Sequence, residues 1–423
     1  MKKISIYILL LALPMQVFSQ LTLSGEYRPR AEYRHGFQNM SIQDQKEAFH
    51  ISQRTRINTN YKANKYEIGF VLQDVRVWGN TNQLVVNDGA FTTFHEAWGK
   101  YNFSKTLSLK LGRQEIIYDD HRIFGNVGWA QQARSHDAAI LKIKGDKKDL
   151  DIGLAFNQEK ALHVTTDYRR SNYKTFQYLH YNNKKWIKDG SLSLLLMNLG
   201  YQSPIEVKFQ QTAGLHLKKK SNKNSYELSG YYQFGESTDT SGMSISAYQV
   251  MLSWKRALND KSNIKLSYEH LSGLSSTKAN DKITSFNPYF GTNHKFNGHM
   301  DYFYVGNHNY SVGLQDIALT YDTKVNKWQV IASLHGFLSA NDILDVKEFN
   351  SSGQSKAASP YLGSEIDLAF KRKLDKDVNV VFGYSQFFGS ESMEFLRGGD
   401  KAATSNFAYA MIAFKPTFFQ SKK

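Results

Sequence analysis

Arginine carries the most pointed chemistry in this sequence, and its spacing is regular. Arg28, Arg30 and Arg34 fall on even positions of LTLSGEYRPRAEYR, residues 21–34, and Arg54 and Arg56 repeat the alternation in QRTRI at 53–57. Of fourteen arginines, nine lie before residue 135: these five with Arg76, Arg113, Arg122 and Arg134. A guanidinium is a rigid planar fork that meets a carboxylate or phosphate through paired hydrogen bonds, whereas lysine, concentrated here in turns, is a hydrated point charge. Side chains of a strand alternate between its faces. In 21–34 the other face holds Leu21, Leu23, Gly25, Tyr27, Pro29, Ala31 and Tyr33. A membrane barrel gives such an apolar face to lipid and turns the charged one into its lumen. There the arginines of adjacent strands form a ladder for an anionic solute, with Glu26, Glu32, Asp74, Glu96 and Asp137 available to hold guanidinium groups in place. The plainer alternative is that these pairs only neutralise a filled interior.

Positioning such a ladder takes many strands, and the sequence supplies them. Period-two segments are expected at 21–34, 50–61, 66–78, 91–102, 106–115, 134–143, 150–157, 174–181 and 191–199, and then at 207–217, 225–233, 245–255, 262–271, 313–322, 328–337, 362–370, 378–387 and 406–414. The lengths suit tilted strands that cross a bilayer. Connections alternate long and short, and the short ones, such as KANK and TKVNK, are rich in Lys, Asn and Asp. An up-and-down barrel of about 18 antiparallel strands sorts its loops in this way, and a soluble sandwich has no reason to. An even count puts both termini on the periplasmic side. Some residues break phase. Asp74 and Arg76 share the parity of Phe70 and Leu72, so a bulge near Gln73 is expected to return them to the lumen. Arg113 is in phase with Leu109 and Leu111 and needs the same rescue or a place above the lipid. Pro29 lacks a ladder donor, which predicts a bulge or a position near the strand end.

The bulk numbers agree. Lys2 and Lys3, the apolar run Ile4–Leu13 and a cut before Gln20 read as a signal peptide, 1–19. The barrel then covers 20–414, and 415–423 reads as a periplasmic C-terminal tail. The last segment ends on the aromatic Phe414, similar to the signal read by the barrel-assembly machinery. There is no cysteine, hence no disulfide, thiolate metal site or lipid anchor. The formal charge of +15 becomes +13 without Lys2 and Lys3, with 51 basic against 38 acidic residues. Such an excess favours an anionic partner, a lumen solute or lipopolysaccharide among outer-membrane lipids. No zinc spacing or helix-turn-helix pattern points to nucleic acid.

Other chemistry is thin. His121 beside Asp119 and Asp120 suggests acid–base work, and His294, His299, Asp301 and His308 suggest a metal, yet neither group has a nucleophile–base pairing or ligand spacing. No catalytic site, metal or cofactor is expected. A barrel enzyme or a surface receptor on the long loops 272–312 and 338–361 is the remoter alternative.

The segment 112–137, GRQEIIYDDHRIFGNVGWAQQARSHD, together with RPRAEYR at 28–34, QRTRI at 53–57, LQDVRVWG at 72–79 and HEAWGKY at 95–101, resembles the alginate export family. The likeness is dense over 21–145 and diffuse beyond, where GSEIDLAF at 363–370 carries it. The matching residues include Arg28, Arg30, Arg54, Arg56, Asp74, Arg76, Glu96, Arg113, Gln114, Arg122, Trp129, Arg134 and Asp137. The resemblance implies an outer-membrane, eighteen-stranded, monomeric barrel of a Gram-negative cell with an arginine-lined constriction that passes an anionic polysaccharide or oligouronate. A general anion-selective or oligouronate uptake porin is the alternative.

Overall fold

The computed structural model describes residues 19–84, 92–161, 163–168, 172–238 and 242–421. The segment read as a signal peptide lies outside them, apart from Ser19. In chain order the strands are β1 Gln20–His35, β2 Ala48–Lys62, β3 Tyr66–Val77, β4 Thr92–Asn102, β5 Leu107–Gln114, β6 His136–Lys144, β7 Lys148–Phe156, β8 Thr175–Ile187, β9 Gly190–Gln202 and β10 Val207–Ser221. They continue as β11 Asn224–Glu236, β12 Ser244–Ala257, β13 Ser262–Leu271, β14 Lys282–Ile283, β15 Leu314–Val325, β16 Trp328–Leu338, β17 Tyr361–Asp375, β18 Val378–Gly389, β19 Ser405–Phe414 and β20 Thr417–Gln420. Two short helices, α1 Val346–Ser352 and α2 Glu391–Arg397, lie in connections. Setting aside the short β14 and β20, eighteen strands form one antiparallel wall. Each pairs with its neighbour in sequence, β13 pairs with β15 across the longest connection, and β1 closes on β19 with Arg30 opposite Met411.

Period two explains the wall. On β12, Tyr248, Val250 and Leu252 are 36–50% exposed on the outside, while Ala247 and Gln249 are fully buried inside. The outer row has no protein to pack on and meets lipid, and closure leaves no strand edge bare. Several short turns use Asp189, Asn222 and Asn326 at positive φ, a conformation that Asn and Asp tolerate and tight hairpins require.

Four local expectations are corrected. The β2–β3 register runs unbroken from Ser52–Val77 to Lys62–Glu67, so β3 has no bulge at Gln73. The irregularity is on β4, where Val71 faces Glu96 and Leu72 faces Phe94, leaving His95 as the extra residue. Asp74 and Arg76 therefore keep their outward parity, opposite Thr55 and Gln53, and pair with each other at 2.6 Å. Arg113 and Asp137 likewise stay outside, paired at 3.0 Å with side chains 44% and 61% exposed. All four sit at the long-loop ends of their strands, where polar groups meet headgroups or water. Pro29 lies well inside β1 without a bulge. The β1–β19 ladder skips Arg28 and Pro29 and resumes in register. The residues read as a tail extend the wall: β20 pairs with β1 at Leu23–Phe419, and the Phe418 ring covers Gly25, where a Cβ would come within 2.6 Å of it.

Candidate functional site

On the inner face of β1 and β2, register places Glu26 opposite Arg56 and Arg28 opposite Arg54. Like charges facing each other across strands repel unless each finds a partner. Arg54 donates to both oxygens of Glu26, at 2.8 and 3.0 Å. Arg56 donates from Nε to Gln73 at 2.7 Å. Glu32 takes Arg30 at 2.6 Å and Arg34 at 2.6 Å, the latter about a third exposed toward the long loops. Arg28, Arg30 and Arg54 are each under 8% exposed. Two N–H groups in the patch, Arg54 Nε and Arg56 Nη2, are buried with no hydrogen-bond partner among the described residues.

What covers this patch is the connection between β5 and β6. Its stretch Gly128–Gln131 lies over the arginines: Arg28 donates to the carbonyls of Gly128, Trp129 and Ala130 and to Gln131 Oε1, at 2.8–3.3 Å. Arg30 donates to the Trp129 carbonyl at 2.7 Å and stacks its guanidinium over the Trp129 ring at 3.9 Å. The connection is pinned elsewhere as well. The Glu115 backbone N–H donates to Glu96, and its carboxylate takes His95, both at 2.8 Å. Asp119 meets His180 on β8 at 3.0 Å; burial raises its pKa, and the His180 hydrogen bond and charge outweigh this to lower it. Arg122 pairs with Glu269 on β13 and stacks over Phe296. The segment thus reaches from β4 to β13 through the lumen. Asp119, His121, Val127 and Ala133 all adopt positive φ, strain that persists only where the surroundings over-determine the backbone, as at functional sites.

The connection between β13 and β15 also folds inward. The Gly125 N–H donates to the Phe290 carbonyl at 2.8 Å, and the Thr292 N–H to the His121 carbonyl at 3.0 Å. Arg134 donates to the Gly291 carbonyl at 2.9 Å. His294 stacks on Trp129 at 3.8 Å, and the His299 and Met300 N–H groups both donate to Glu365 Oε1 on β17. The two segments pack on each other and on the wall through Phe124 of the first, Phe290 of the second and Phe176 of β8.

The structure therefore gathers Arg28, Arg30, Arg54 and Arg56 with Glu26 and Glu32 into one patch. It sets Arg34 at the patch's upper edge, Arg122 on another sector and Arg134 at the joint between the segments. Glu96 faces the lumen as an anchor. Arg76, Arg113, Asp74 and Asp137, expected in the lumen, lie outside it. The lumen also holds Lys265, Glu365 and Asp367, which alternation puts on the polar face of their strands, and Lys110 and Asp316, which sequence reading missed although they alternate in the same way. Lys295, also missed, lies on a connection and left no such signal. His294 pairs with Asp301 at 3.2 Å, and no cluster of His, Asp and Glu among the described residues could hold a metal.

Solved structures with this architecture include Acinetobacter baumannii OccAB1, with a TM-score of 0.63, 12% identity and 94% of this chain and 97% of that one covered. Pseudomonas aeruginosa OpdQ gives 0.61, 14%, 94% and 98%. Pseudomonas aeruginosa OccK2 (OpdF) in complex with glucuronate gives 0.60, 12%, 94% and 98%. At these identities the likeness concerns the fold. No curated protein matches the chain. The barrel, its apolar outer belt and its inward-folded connections are those of an outer-membrane channel of a Gram-negative cell. The sequence model of the alginate export family matches residues 19–407, nearly the whole length, and the chain belongs to that family.

Proposed function

We propose that this channel passes carboxylated sugars of the uronate class and performs no chemistry on them. One observation carries the reading: four guanidinium groups, Arg28, Arg30, Arg54 and Arg56, converge on one inner patch where a strained segment crosses the lumen, with two buried N–H groups unpartnered among the described residues. A uronate chain offers one carboxylate per ring, and the positive field of this patch, with Arg34 and Arg56 at its less covered edges, can draw each carboxylate along without trapping it. The family supports a polyuronate solute, and the glucuronate complex of OccK2 supports the same chemical class. In planar bilayers, glucuronate and oligouronates should interrupt the chloride current of the purified protein at concentrations where neutral sugars leave it unchanged. Equal effects of neutral and acidic sugars would defeat the proposal.

A further inference from the structure

We infer that the lumen holds a second anion-binding alcove, built on Lys265 and Lys295, that takes a single uronate ring. This deepens the uronate reading and rests on it, and it uses none of the arginines. The alcove has a volume of about 130 Å³; Lys265, Lys295, Ser267, Thr320 and Ser333 line it, and the carboxylates Glu269 and Asp316 form part of the same wall. It lies between the inner face of β13, β15 and β16 and the inward-folded segment that carries Lys295. From β1 this sector is reached through β19, β18 and β17. Lys265 faces Thr320, and Thr320 faces Ser333, so all three share one level, nearer the short turns than the Glu269–Asp316 level.

Its charges are unbalanced. The acids on its wall are already taken, Glu269 by Arg122, Gln249 and Asn297, and Asp316 by His335 and Asn297, while Asp120 and Glu227 offset only part of the cost of burying Lys295. Lys265 Nζ makes no hydrogen bond or ion pair among the described residues. Lys295 Nζ donates to the Asp120 carbonyl at 2.6 Å and lies 5.4 Å from the Phe296 ring centre. Burial lowers the Lys295 pKa, and an arriving carboxylate would relieve that cost. Each ammonium has three donors, so both keep capacity for an anion. The Thr320 and Ser333 hydroxyls, 3.0 Å apart, with Ser267, add the groups a sugar ring needs and a simple anion does not. A pocket for a drug-sized molecule starts near ~300 Å³, so this volume suits one ring of a chain whose remainder stays in the lumen.

The test is the glucuronate concentration that half-interrupts chloride current in planar bilayers, read for the parent, K265Q, K295Q, the double variant, and K261Q on an exposed turn. Glucose and acetate are run beside glucuronate. The double variant should need roughly tenfold more glucuronate, the loss expected for charge-assisted hydrogen bonds, and each single variant an intermediate amount. K261Q should match the parent. The single variants carry the answer if the double variant fails to fold. Unchanged sensitivity in the lysine variants overturns the alcove and leaves the uronate reading standing. A parent indifferent to glucuronate overturns both. Acetate as effective as glucuronate overturns the ring-sized site.

Discussion

Arg28 is the residue on which the inner surface turns. Its guanidinium is buried and spent on three backbone carbonyls and the Gln131 side chain. Arg28→Ala leaves those acceptors buried without donors, and should cost about 3 kcal/mol of local stability and free the Gly128–Gln131 stretch. The check is faster hydrogen exchange there, with larger conductance. Arg56 is different, because one nitrogen has no partner among the described residues, Gln73 can rearrange, and its ion pair with Glu115 is long at 3.9 Å. Arg56→Gln should keep the fold and lower the anion-to-cation permeability ratio. Parity in the sequence was enough to put Arg28, Arg30, Arg54 and Arg56 on the inner face. It also put Asp74, Arg76 and Arg113 on the outer face, and there the sequence was more reliable than the bulge invoked to correct it. Charges at strand ends lie beyond the apolar belt and need no rescue, and the real bulge, at His95, left no mark in the alternation of β4.

At the scale of elements, the strands were legible and the inward connections were not. A strand announces itself locally through two faces, whereas the β5–β6 and β13–β15 connections are placed by contacts far apart in sequence, such as Arg122 with Glu269 and Met300 with Glu365. Length alone marked them as long loops. The second of these segments has a pH dependence with a definite sign. His308 is 3% exposed, and burial, then the Arg122 charge, lowers its pKa to about 3. Released from the fold it would return to about 6.5. The released segment then binds more protons, so docking is fully stable above about pH 6.5 and weakens as pH falls toward 3. Hydrogen exchange across 284–313, corrected for intrinsic rates, should be faster at about pH 5 than at about pH 7.5. His308→Asn should reduce that difference, with His299, lowered by burial to about 4, supplying the rest, and a parent without the difference would contradict the assignment.

For the whole molecule, the strand count and the sorting of loops by length were readable, because bilayer thickness fixes strand length and closure fixes parity. The role of the C-terminal residues was not, because lysines at 415, 422 and 423 suggest a solvated tail while Phe418 and Phe419 bind it to β1. Ending the chain at Phe414 bares the β1 edge at Leu23, and should slow assembly into the heat-modifiable barrel without changing ion selectivity. The account as a whole stands on the arginine patch acting on passing ions, and one measurement tests it most directly: the reversal potential across a potassium chloride gradient for the parent and for Arg54→Glu/Arg56→Glu, with the corresponding glutamine pair as a neutral companion. The account predicts chloride preference in the parent, its loss in the glutamine pair, and its loss or reversal in the glutamate pair, all with normal heat-modifiable mobility. Cation preference in the parent, or parent-like chloride preference in folded glutamate and glutamine pairs, would contradict it and leave the arginines as fasteners of an inner segment.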